Sequence, residues 1–162
     1  MVKSGETGWI VGDEVNFFSG SFYRNLDAKG RMMLPPPFLT AIESQAEQKK
    51  CFWLTAFYGR LAAYLPAHWH STVNQLCKIP LPSPRLANFK TKIIGLAEEY
   101  VPDKQGRIRI SRPLMREAAL EKEIVLVGMM DKFEIWARAR FDSLPDEDVS
   151  AELQNAGIEI KL

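Results

Sequence analysis

The sequence predicts an α+β, mainly β fold in which two copies of one small unit pair within a single chain. The first observation is an internal repeat: residues 27–34 (DAKGRMML) recur 76 positions later as residues 103–110 (DKQGRIRI), and residues 52–57 align with residues 124–129 at an offset of 72. The second is size, because a copy of about 45 residues can hardly close a core by itself. The third is composition: 162 residues, of which 46% are hydrophobic and 25% charged, suit a folded domain without metal or disulfide staples.

The first feature expected in each copy is a tight hairpin. An extended segment reaches Asp27 in the first copy and Asp103 in the second. The Asp-x-x-Gly spacing that follows is typical of such a turn, because Asp suits its first position. Gly30 and Gly106 occupy the position that needs a positive φ.

A return strand, a short helix and two further strands complete each copy. Pro37 and Pro113 suit a first helical turn, because the N–H that proline lacks has no helical partner there. Runs that are apolar throughout or that alternate predict the last two strands. The expected inner helix face is Phe38, Ile42 and Ala46 in one copy and Leu114 and Ala118 in the other; the expected strands include 31–34, 52–54, 107–110, 124–127 and 133–136.

Two helices are expected between the copies. Trp69, Val73 and Leu76 have helical spacing within residues 66–78, and a proline-rich break at residues 80–84 precedes a helix over about 85–95. We expect Trp69, Leu76 and Phe89 to be exposed apolar residues that drive oligomerisation.

These elements divide the chain into five segments. They are an N-terminal extension (1–17), a first domain (21–67), a helical linker (68–96), a second domain (97–140) and an acidic tail (141–162).

Charge is distributed unevenly along the chain. The net charge of +1 is the sum of +2 over residues 1–80, +4 over residues 81–140 and −5 over residues 141–162. A basic folded part permits a polyanionic partner. No secretory signal or membrane-spanning stretch is legible, so we expect a cytoplasmic protein, with Cys51 and Cys77 as free thiols packed inside.

Basic side chains gather at both turns. Arg31 follows Asp27, and Arg107 follows Asp103, at the same Asp-x-x-x-Arg spacing. One interpretation is structural only: the carboxylate accepts turn N–H groups, and the arginine rests beside it. The other is a phosphate-facing edge, because the pair occurs twice and the planar guanidinium binds oxyanions bidentately. We favour a joint role, in which Arg109 shares a strand face with Arg107.

Neither a metal site nor a catalytic centre is predicted. His68, His70, Cys51 and Cys77 match no zinc-binding spacing, and we interpret them as helix-start and core residues. No phosphate loop or serine-centred elbow appears, and the polar motif occurs twice rather than once in a cleft. We therefore expect no enzyme, no cofactor and no small-molecule substrate.

The sequence resembles the MraZ family over roughly residues 18–144. The resemblance rests on residues 18–22 (FSGSF), on the paired Asp-x-x-Gly-Arg turns, and on residues 125–128 (VLVG) followed by residues 132–136 (KFEIW). That family consists of bacterial transcriptional regulators with two tandem SpoVT/AbrB-type domains. The resemblance implies two swapped-hairpin, AbrB-like units that pair into a split β-barrel. It also implies ring-shaped homo-oligomers and binding to repeated DNA boxes upstream of the division and cell-wall gene cluster.

With this resemblance, the expected function is sequence-specific regulation at promoter DNA, with double-stranded DNA and further copies of the chain as partners and with nucleoid association. The alternative is an oligomeric ring scaffold without direct DNA contact. Antitoxin-like single-barrel regulators fit less well, because they commonly combine one domain copy with a long toxin-binding tail. The expected DNA contacts are Arg31, Arg107, Arg109, Lys104 and, more weakly, Lys29; the expected structural residues of the motif are Asp27, Gly30, Asp103 and Gly106.

Overall fold

The computed structural model describes residues 17–45, 49–80 and 83–161. These residues form eight strands and six helices, and the predicted α+β, mainly β fold is confirmed. In chain order the elements are β1 (Ser21–Asn25), β2 (Arg31–Met33), α1 (Pro36–Glu43), β3 (Phe52–Phe57), β4 (Arg60–Tyr64), α2 (Pro66–Lys78), α3 (Pro84–Gly95), β5 (Glu98–Tyr100), β6 (Arg107–Arg109), α4 (Arg112–Glu117), β7 (Glu123–Gly128), β8 (Lys132–Ala137), α5 (Arg138–Asp142) and α6 (Ser150–Asn155).

The two copies interleave in one antiparallel sheet. Its strand order is β1-β7-β8-β4-β3-β5, so the first strand of each copy pairs with a strand of the other copy. Strands β2 and β6 form a separate two-stranded sheet. Exchanging the copies only reverses the order of the large sheet, which is what a pseudo-two-fold axis requires.

Strand register places this axis precisely. Met32 lies opposite Ile108 at the centre of the small sheet, and Ala62 lies opposite Glu134 at the β4–β8 junction. Each of these residues is paired with its own counterpart in the other copy, at the offsets of 76 and 72 seen in the sequence. The repeat alignment is therefore confirmed residue by residue in the sheet.

The predicted tight hairpin is wrong in one respect. The chain does reverse at both Asp-x-x-Gly turns, with the Asp27 N–H donating to the Arg31 carbonyl at 3.0 Å. The strands on either side of the turn do not pair with each other, because β1 joins β7 and β2 joins β6. Exchange gives β1 a partner over five residues, whereas β2 spans only three. Closure of the two sheets into a split barrel stays a prediction.

Aromatic rings fill the core between the sheet and helices α1 and α4. The ring centres of Phe18 and Phe38 lie 5.0 and 4.9 Å from that of Phe133, and the Phe52 ring lies 5.5 Å from it. The predicted inner helix faces are confirmed, since their described members are buried; Ala46 lies outside the described residues. The buried members are Phe38, Ile42, Leu114 and Ala118.

A second apolar cluster corrects the expected exposure of the linker helices. Helices α2 and α3 pack on the outer face of β3 and β4, where the Trp69 ring stacks on Trp53 at 5.9 Å. Trp69 and Leu76 are buried and Phe89 is half-buried, so these residues do not form the expected open patch. The sheet has two faces that need covering, and the linker helices cover half of the second one.

The remaining segments bring two more corrections. Cys51 is buried as expected, but Cys77 is exposed on the outer side of α2. The tail contains helix α6, which the sequence analysis did not predict, and residues 1–16 of the N-terminal extension lie outside the described part. None of the described helices has the length and apolar character needed to cross a membrane.

Candidate nucleic-acid interface

Each turn is organised by one aspartate. Asp27 Oδ1 accepts hydrogen bonds from the backbone N–H groups of Lys29 (2.8 Å) and Arg31 (2.9 Å), while Oδ2 accepts one from Arg31 Nε at 2.8 Å. Asp103 repeats the arrangement with Gln105 and Arg107, and its Oδ2 lies 3.0 Å from Arg107 Nε. The carboxylate thus holds the turn and orients the arginine, as the structural interpretation requires.

These bonds lower the acidity constants of both carboxyl groups. The pKa of Asp27 falls from its ordinary value of 3.8 to about 2, first because the Arg31 N–H donates to it and then because the Arg31 side chain does. The pKa of Asp103 is lowered by the equivalent donors of Arg107. Both groups therefore stay ionised throughout the neutral and mildly acidic range.

A pH titration tests this organisation of the first turn. Because the folded pKa of Asp27 is depressed, its bonds stabilise the turn fully above the ordinary value of 3.8 and are lost as the pH falls through about 2. We expect the carboxyl carbon resonance of Asp27 to titrate with a midpoint near 2. A midpoint near 3.8 would show that the carboxylate is not bonded in solution.

Glycine attaches each turn to the other copy. Gly30 and Gly106 both have φ of +78°, and each carbonyl accepts a bond of 2.9 Å from across the pseudo-axis: Gly30 from Ile110 and Gly106 from Leu34. A Cβ on Gly30 would lie 2.9 Å from the Ile110 carbonyl oxygen. Glycine is therefore needed there both for the left-handed backbone and for the close approach.

The small sheet presents its basic residues to solvent. Side chains alternate along each strand, so Met32 and Ile108 are buried while their neighbours are exposed. Arg31 lies opposite Arg109, and Met33 lies opposite Arg107. We call the exposed side of β2 and β6, together with the two turns, the basic ribbon; its charged members are Arg31, Arg107, Arg109, Lys29 and Lys104.

The basic ribbon has two unequal ends. Arg109 donates from Nε to the Lys29 carbonyl at 3.0 Å, which brings Arg109, Arg31 and the first turn together. At the other end Arg107 and Lys104 flank the second turn, and the position equivalent to Arg109 is the uncharged Met33. All five predicted contact residues therefore lie on one ribbon, grouped as three and two.

The electrostatics of the basic ribbon favour an anionic partner. Like charges directly opposite each other destabilise a strand pair, and Arg31 faces Arg109 in this way. Arg31 and Arg107 use only Nε on the aspartates, and among the described residues their terminal amino groups have no partner. Planar guanidinium groups in this state can bind phosphate oxygens bidentately. Arg112 and Arg116 of α4 add two more exposed arginines near β6.

The sequence analysis missed the pairing of β2 with β6, which creates the basic ribbon. A signal was present in the alternation of each return strand, whose central residue is apolar between two neighbours of which three out of four are arginine. Alternation marks a two-sided strand but does not name its partner.

The histidines and cysteines do not come together. His68 Nε2 lies 3.3 Å from Asp131 Oδ2, His70 and Cys77 are exposed, and the buried Cys51 thiol lies 3.8 Å from Glu99 Oε2. Burial raises the pKa of Cys51, so this thiol is a poor nucleophile. Within residues 17–45, 49–80 and 83–161 no three metal-binding side chains form a group.

Comparison with known proteins matches this geometry to one family. A family model described as "MraZ protein, putative antitoxin-like" matches residues 17–90 and 93–158. A protein of Nitratidesulfovibrio vulgaris Hildenborough, named transcriptional regulator MraZ, is 39% identical over 145 residues, which cover 88% of this chain and 97% of the relative. Proteins of the same name from Maridesulfovibrio salexigens (38%, covering 88% and 97%) and Lactobacillus helveticus (34%, covering 80% and 87%) are also similar.

Proposed function

The chain belongs to the MraZ family of transcriptional regulators, and we propose that it acts by binding specific promoter DNA as a homo-oligomer through its basic ribbon. The proposed site is the division and cell-wall gene cluster that the family resemblance implies. The protein would act in the cytoplasm, associated with the nucleoid. It works as a regulator and not as an enzyme, in keeping with the names of its relatives.

The observation that carries the proposal is the preorganised set of three arginines on β2 and β6. Asp27 and Asp103 fix the arginine stems, so little side-chain entropy remains to be lost when a phosphate binds. A two-stranded ribbon is also narrow enough to approach a DNA groove. In this arrangement Arg31, Arg107 and Arg109 contact phosphates or base edges, and Lys29 and Lys104 contribute charge from the turns.

One basic ribbon makes too few contacts for useful affinity. Five charged residues can neutralise only a handful of phosphates, and each contributes a salt-dependent increment. A ring of copies would present several basic ribbons to DNA boxes of matching spacing. Binding of one ribbon then raises the effective concentration of the next, which supplies the missing affinity.

A titration with the DNA upstream of its own gene tests the proposed function. We expect the full chain to bind this DNA at least ~10³-fold more tightly than a scrambled fragment of equal length and composition, the lower end of the usual range for specific recognition. Light scattering on the same sample reports the size of the oligomer. An oligomer that binds neither fragment would instead support a ring scaffold without DNA contact.

A further inference from the structure

The pseudo-symmetry of the sheet breaks at its outer face. In the first copy, helices α2 and α3 cover this face on β3 and β4. In the second copy, α5 begins at Arg138, which is 72 positions after the first residue of α2, Pro66. Helix α2 runs for 13 residues, whereas α5 ends after 5 at Asp142. The outer face of the second copy therefore lacks most of the cover that its counterpart has.

Apolar side chains remain open on this face. By register, Tyr23, Val125 and Trp136 stand in one row across β1, β7 and β8, on the side away from the core. Tyr23 is 49% exposed and Met129, at the end of β7, is 44% exposed, while Trp136 is half-buried. The counterpart of Met129 is Phe57, which packs against the linker helices in the first copy. We call these four side chains, with Val127, the open face.

The open face is surrounded by cations. The Arg138 guanidinium carbon lies 5.0 Å from the centre of the Tyr23 ring, and that of Arg60 lies 5.1 Å from the Trp136 ring. Arg24 and Lys132 are on the same strands. An occupant that is both apolar and acidic would complement this surface.

The C-terminal segment has that character. Val149 and Ile158 are 46% and 48% exposed, and helix α6 between them buries none of its residues. Leu153 sits one helical turn after Val149, and its carbonyl accepts the Ile158 N–H at 2.9 Å, which draws the three apolar residues to one side. An isolated helix of six residues is unstable in water, so α6 needs a surface to fold against. The same segment carries the acidic residues Asp146, Glu147, Asp148, Glu152 and Glu159.

We propose that residues 146–160 of one copy dock on the open face of a second copy, with Val149, Leu153 and Ile158 against Tyr23, Met129 and Trp136. The proposal rests on the homo-oligomer proposed above and assigns one of its contacts. A second copy is the occupant because α6 finds no burial on its own chain, although α5 begins beside the open face. The acidic segment then neutralises the cationic rim and replaces the missing helices of the second repeat.

Cysteine pairing in the full chain tests the docking and identifies its direction. In a Cys77→Ser background, Leu153→Cys with Met129→Cys should give disulfide-linked chains on oxidation, whereas each single variant should not. A disulfide within one chain would show that the segment docks on its own sheet and would overturn the assignment to a second copy. Absence of any disulfide would overturn the docking altogether.

Light scattering with a matched pair of variants supplies an independent readout. Leu153→Asp places a charge on the apolar side of α6, while Gln154→Asp adds the same charge at a neighbouring exposed position. We expect the first to lower the oligomer mass and the second to leave it unchanged; equal masses for both would contradict the docking. If the unmodified chain is itself a monomer, the proposed assembly fails rather than this contact alone.

Discussion

Replacing Arg109 by alanine is expected to weaken binding to promoter DNA by about tenfold or more for each basic ribbon engaged, because a hydrogen bond to a charged group contributes roughly 1.5–3 kcal/mol. Arg109 suits this test since it has no acidic partner among the described residues, so its removal leaves both Asp–Arg pairs intact. In an oligomer the loss recurs at every ribbon in contact with DNA, and the measured change multiplies accordingly. Fluorescence anisotropy with labelled promoter DNA at constant salt measures it.

The pseudo-symmetry provides a matched control for this substitution. Met33 occupies the equivalent position in the first copy, is equally part of the exposed ribbon side, and is uncharged. Met33→Ala should therefore change DNA affinity less than twofold. Similar losses for Arg109→Ala and Met33→Ala would point to a general disturbance of the small sheet.

Replacing Phe133 by alanine is expected to lower the free energy of unfolding by about 3–5 kcal/mol, the usual cost of removing a large buried side chain. Phe133 is fully buried and its ring meets those of Phe18, Phe38 and Phe52, which come from three different parts of the first copy. The cavity cannot close easily, because these neighbours are held by the sheet and by α1. Urea denaturation should show a lower midpoint with an unchanged slope.

Leu144→Ala is the control for stability. Leu144 is exposed, so its truncation should change the free energy of unfolding by no more than about 0.5 kcal/mol. If Phe133→Ala were as mild, the two copies would not share one core, and the interleaved sheet would be wrong.

The sequence predicted the elements of the fold better than their partners. The offsets of 76 and 72 located the equivalent strands because a repeat preserves spacing, and the register centres at Met32 and Ala62 confirm them. Exchange between the copies was not predictable from periodicity. A strand that alternates between apolar and polar residues looks the same whether it pairs with its neighbour in sequence or with the other copy.

The same reasoning applies to the linker and to the site. Trp69 and Leu76 were expected to be exposed because their helical spacing shows one apolar side but not the surface that it covers. At the turns, residue type and spacing identified Asp27 and Arg31 correctly as a bonded pair. The approach of Arg109 to the Lys29 carbonyl joins residues 80 positions apart and depends on β2–β6 pairing, so no local pattern could indicate it.

The salt dependence of DNA binding tests the role of the basic ribbon most directly. For the unmodified chain, the logarithm of the binding constant should fall linearly with the logarithm of salt concentration, with a slope of about −0.9 for each phosphate neutralised. Arg109→Ala should reduce the magnitude of this slope by about 0.9 per lost contact on promoter and scrambled DNA alike, while Met33→Ala leaves it unchanged. A slope and an affinity that are the same for Arg109→Ala as for the unmodified chain would contradict the assignment of the basic ribbon as the DNA-binding surface.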